Sequence, residues 1–91
     1  MKLDNMAPKY GNIDNTKDLG KLIRSFRKKD KINLEKVCGL SNTSMRFLSE
    51  LERGKQTAEI GKIFEVLKTI GLEVYIFPRG YTLTDKDMKC L

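Results

Sequence analysis

A chain of 91 residues has room for one domain with a small core, so stability shared with a second copy is an expectation from size alone. It carries no histidine and only Cys38 and Cys90 as cysteines, too few ligands for a zinc site or a disulfide framework, and no apolar run approaches membrane-spanning length. The net charge of +6 is concentrated: residues 17–36 hold eight basic and three acidic side chains, an electrostatic footprint suited to phosphate or else a solvated helix face.

Residues 1–14, with Pro8 and Gly11 and no sustained periodicity, are expected to form a flexible arm. Asn15 or Thr16 caps a first helix over about 16–29, in which Leu19, Leu22, Ile23 and Phe26 make one buried stripe. Its outer face shows Lys17, Lys21, Arg24 and Lys28. A short second helix starts at Asn33 and turns Leu34, Val37, Cys38 and Leu40 inward. Asn42 suits the left-handed backbone of a tight turn, Ser44 caps a third helix over about 44–53, and Gly54 ends it. A turn at residues 39–41 is the other register, but it would leave the second helix barely one turn long.

A fourth helix, about 58–70 after a Thr57 cap, places Ile60, Ile63, Phe64, Leu67 and Ile70 on one stripe, with Gly71 beyond its end. The period then changes to two: Leu72, Val74 and Ile76 alternate with Glu73, Tyr75 and Phe77 before Pro78. A lone strand leaves its backbone groups unpaired, so Leu72, Val74, Tyr75, Ile76 and Phe77 are expected to pair with the same strand of another copy. Residues 79–91 form a polar tail.

The stretch "INLEKVCGLSNTSMRFLSELERGK" resembles the helix-turn-helix of the phage-repressor and XRE class, with Leu48 and Leu51 as anchors, Ser44 as cap, Asn42 in the turn, and Val37 and Cys38 on the second helix. "RFLSELERGK", with "LGKLIRSFRKKD" upstream and "LEVYIF" downstream, is similar within that class to HipB-type antitoxins. Two positions depart from the pattern: Asn42 replaces the turn glycine, and Leu34 replaces a phosphate-touching glutamine. The resemblance implies an all-α, four- to five-helix lambda-repressor-like domain over residues 15–71, with a dimerising strand at 72–78. It implies a homodimer that represses its own operon by binding a palindromic double-stranded DNA operator, and that neutralises a HipA-like kinase toxin; the sparse cysteines make a reducing cytoplasm the expected compartment. No cofactor, metal, membrane or small-molecule substrate is expected. The alternative is a toxin-neutralising interaction module that binds little or no DNA.

In a helix-turn-helix the first turns of the second motif helix meet base edges, which selects Ser44, Met45, Arg46, Ser49 and Glu50. Arg46 suits guanine O6 and N7, while Met45 either touches a thymine methyl or covers the turn, and Glu50 either accepts from cytosine N4 or stands by. Phe47 packs on the second helix or lies on the duplex. Phosphate contacts are expected from Lys28, Asn33, Ser44, Arg53, Lys55 and Gln56. A carboxylate at the apolar end of the third helix needs a partner, and the family pattern implies an ion pair between Glu52 and Arg27. Catalysis is not expected: "GKQTAEIGKI" spaces its glycines wrongly for a phosphate loop, and no histidine is present to serve as a base.

Overall fold

The computed structural model describes residues 12–80. They form four helices: α1 (Thr16–Lys29), α2 (Leu34–Ser41), α3 (Met45–Glu52) and α4 (Ile60–Thr69). Three of these start on a side chain that closes its own first turn. Asn15 Oδ1 accepts from the Asp18 amide at 2.8 Å, Asn33 Oδ1 from Lys36 at 2.7 Å, and Ser44 Oγ from Phe47 at 2.9 Å. Each cap satisfies an amide that the helix itself cannot pair, an effect of about 1 kcal/mol.

All four helices also stop alike, on a residue with positive φ that folds the chain back over the last turn. These residues are Lys31, Asn42, Gly54 and Gly71. The paired bonds of a Schellman closure accompany α1, with Lys31 N–H donating to Lys28 O and Ile32 N–H to Arg27 O at 3.0 and 2.9 Å. Gly54 N–H and Lys55 N–H close α3 in the same way, onto Leu51 O and Glu50 O.

The core is built from Ile23, Val37, Leu48, Leu51 and Val66, all fully buried, with Cys38, Ile63, Leu67 and Ile70 around them. α3 packs on α1 and α2, and α2 packs in turn on α4, so the motif helix is gripped from two sides. Gly20 makes the α1 contact possible: a Cβ there would collide with Leu51 O and lie 2.6 Å from Glu52 O. Thr16 Oγ1 donates to Gly54 O at 2.8 Å, tying the start of α1 to the end of α3.

Several expectations change. Leu40 is 66 % exposed, because Val37, Cys38 and Ser41 take the inward face of α2. α4 begins at Ile60 rather than 58, on Glu59 with no side-chain cap bond, so Thr57 does not cap it. Ala58 packs against the core just ahead of it, and Glu59 is still extended. Two apolar stripes overlap on α4, and the buried one is Ile63, Val66, Leu67 and Ile70; Ile60 and Phe64 are exposed. Val66, absent from the expected stripe, is fully buried.

Among the described residues no strand is assigned, and residues 72–78 have no strand neighbour within one chain. Leu72 packs on the core, whereas Val74, Tyr75 and Ile76 are exposed, Ile76 by 91 %. Most of the expected arm, residues 1–11, and of the tail, 81–91, lies outside the described residues. No described helix is long and apolar enough to cross a membrane.

Candidate nucleic-acid interface

α3 has two unlike sides. Leu48, Leu51 and Glu52 face inward and are buried, while Met45, Arg46 and Arg53 are exposed and Ser49 and Glu50 half-buried. The helix is therefore anchored by its last turn and presents its first. Ser44, the expected groove contact at its start, spends its oxygen on the Phe47 amide and keeps its hydroxyl proton for donation.

The anchor is reinforced by charge. Arg27 Nε donates to Glu52 Oε2 at 2.7 Å and its terminal nitrogen to Oε1 at 2.9 Å, while the other terminal nitrogen donates to Ile32 O at 3.1 Å. The carboxylate thus meets a two-pronged partner, and the guanidinium also satisfies the closing turn of α1. The bond to Glu52 raises the Arg27 pKa further above its already high value.

Glu50 is already engaged. Its Oε1 accepts from Lys55 Nζ at 3.0 Å and its Oε2 from Arg46 Nε at 3.3 Å. Lys55, then Arg46, holds the carboxyl below the usual carboxylate range. An expected acceptor for cytosine N4 is thus coupled, in the free chain, to an expected guanine contact and an expected phosphate contact. Phe47 packs partly on the core, with Lys62 Nζ 5.6 Å from its ring centre.

A cleft of about 690 Å³ opens beside α3. Its lining brings together Lys28, Asn33, Met45, Ser49 and Arg53 with Arg24, Leu34 and Glu35, next to the Arg27–Glu52 pair. The structure therefore gathers three expected phosphate contacts and two expected base contacts at one opening. Lys55 and Gln56 are exposed in the loop after α3 and do not line the cleft. Arg24 was absent from the expected site residues; the signal was its place on the basic face of α1, one turn before Lys28. Leu34 serves as an apolar wall and packs on the core, so the missing glutamine is replaced by packing.

No protein-family model matches the chain. Solved structures of the same fold include a HipB–O4 20mer complex, with a TM-score of 0.72 and 11 % identity over 77 % of this chain and 99 % of that one. A HipA–HipB–O2–O3 complex gives the same values. In sequence, an uncharacterized HTH-type transcriptional regulator, y4mF, from Sinorhizobium fredii (strain NBRC 101917 / NGR234) is 38 % identical over 63 residues, 69 % of this chain and 83 % of the relative. That degree of identity over most of both chains, on a helix-turn-helix with its leading edge exposed, means that the chain belongs to the HTH-type transcriptional regulators.

Proposed function

We propose that this regulator is a sequence-specific, DNA-binding repressor that acts as a homodimer on a palindromic operator in its own promoter and as the antitoxin of a HipA-type kinase. The observation that carries the DNA half is the polarity of α3: Leu48 and Leu51 are fully buried, while the Arg46 side chain is 86 % exposed. Such a helix can enter the major groove without unfolding its own domain. Arg46 is the base-reading residue, with Met45 and Ser49 beside it, and Lys28, Asn33, Arg53, Lys55 and Gln56 hold the backbone. The antitoxin half is supported by the shared fold with HipB, which has been solved with HipA.

A gel-shift titration over the chain's own upstream region tests the first half. Affinity should fall steeply as salt rises, because phosphate neutralisation releases counterions. Arg46→Ala should lose preference at defined base pairs, by about 1 to 3 kcal/mol, whereas Lys28→Ala should weaken all sequences alike. Equal loss for Arg46→Ala on operator and random DNA would remove it as a base reader. Co-purification with the products of adjacent reading frames tests the second half; failure to retain a kinase-like chain would end the antitoxin assignment.

A further inference from the structure

Basic side chains around α3 fall into two groups. Arg46 and Lys55 are paired with Glu50, and Arg27 with Glu52. Arg24, Lys28 and Arg53, which line a cleft between α1, α2 and α3, form no ion pair among the described residues. Glu35 is the cleft's other carboxylate besides the neutralised Glu52, so three cations there face one unpaired anion. Like charges held in one concavity repel until an anion enters, and apolar walls strengthen that field by excluding water. Leu34 and Met45 supply such walls.

We infer that this cleft seats a sugar-phosphate unit of the bound DNA strand, with Arg24 as a phosphate-binding residue alongside Lys28 and Arg53. The inference rests on the DNA-binding reading above and adds the path of the backbone, which passes between α1 and the leading edge of α3. Two features favour a nucleotide unit over a small free anion. The volume of about 690 Å³ far exceeds one phosphate group, and the charged rim is joined to an apolar wall that suits a deoxyribose. Because Met45 and Ser49 of α3 line the same opening, a phosphate held there sets how deeply α3 enters the groove. Arg24 thereby contributes to the docking depth of a helix to which it does not belong.

The test compares the full chain with Arg24→Ala and Lys21→Ala, the latter on the same face of α1 but outside the cleft lining. Each protein is titrated against operator and random duplexes between 50 and 200 mM salt. Arg24→Ala should bind both duplexes more weakly and lower the log–log salt slope by about 0.9, so that its deficit shrinks about three- to fourfold across that range. Lys21→Ala should change the slope by much less. Arg24 is exposed, so its thermal midpoint should match that of the parent chain.

Unchanged binding by Arg24→Ala, while the parent chain still shifts operator, would overturn the cleft and leave the DNA-binding reading intact. An equal effect of Lys21→Ala would also overturn it, by showing diffuse attraction to the whole helix face. A loss confined to operator would instead make Arg24 a base contact. A parent chain that binds no duplex at the lowest salt would remove the functional reading and the cleft together.

Discussion

Glu50 stands between two basic side chains proposed to meet DNA, and its substitution has a definite sign. Glu50→Gln removes a negative charge from a surface proposed to meet a polyanion and frees Arg46 and Lys55 from their shared acceptor. Binding to random DNA should tighten and the ratio of operator to random affinity should fall, as read from parallel titrations. Weaker binding to random DNA would show instead that Glu50 orients Arg46 productively. Because its carboxyl is held below the usual range, this ion-paired array forms above the unfolded-state pKa and is lost only as pH falls through the lower folded value. It should therefore outlast mild acidification, visible as a Glu50 carboxyl resonance that titrates late. Glu52 carries a different burden. Glu52→Ala leaves Arg27 buried without its partner and should cost about 3 to 5 kcal/mol in a denaturant melt, whatever DNA is present.

The helix ends show what single-chain signals convey. Asn15, Asn33, Asn42, Ser44, Gly54 and Gly71 announce themselves, because capping and left-handed backbone favour those residue types. Lys31 does not: its left-handed conformation, φ 57°, is imposed by the closure of α1 rather than preferred by lysine. Lys31→Gly should therefore stabilise the domain by roughly 0.5 to 1 kcal/mol, a rise of a few degrees in Tm. Gly20 was equally silent. Its smallness matters only through a neighbour 31 residues away, and Gly20→Ala, which helix propensity alone would favour, should lower stability by about 1 to 3 kcal/mol because backbone carbonyls cannot yield. On α4 the pattern was ambiguous for a related reason: two apolar stripes fit the helical period, and only packing against α2 selects the one containing Val66. At the interface, the faces of α3 were legible from spacing, but the Glu50 pairing and the cleft needed three dimensions.

For the whole molecule, the exposed apolar surface is the unresolved balance. Ile60, Phe64, Val74, Tyr75 and Ile76 are all exposed in one chain, and three of them fall in the short segment 74–76. A second copy contributing its own residues 72–78 would pair the backbone and cover part of that surface in one step. Ile76→Asp should then yield monomers in sedimentation equilibrium with the four helices retained by circular dichroism. The same variant should bind a palindromic operator little better than a half-site, because two recognition helices must stand about 34 Å apart to be used together. A stable dimer of Ile76→Asp would move the interface elsewhere.

The hydroxyl of Thr16 fastened to Gly54 gives the first residue of α1 a reach beyond its own helix. A Thr16→Val variant would keep the Asn15 cap and every core aliphatic in place, yet the rear of the helix proposed to enter the groove would have lost its rivet. Selectivity for operator should slacken in that variant before its melting temperature moves far, so one missing hydroxyl at this seam would loosen the grip of a regulator that still looks folded.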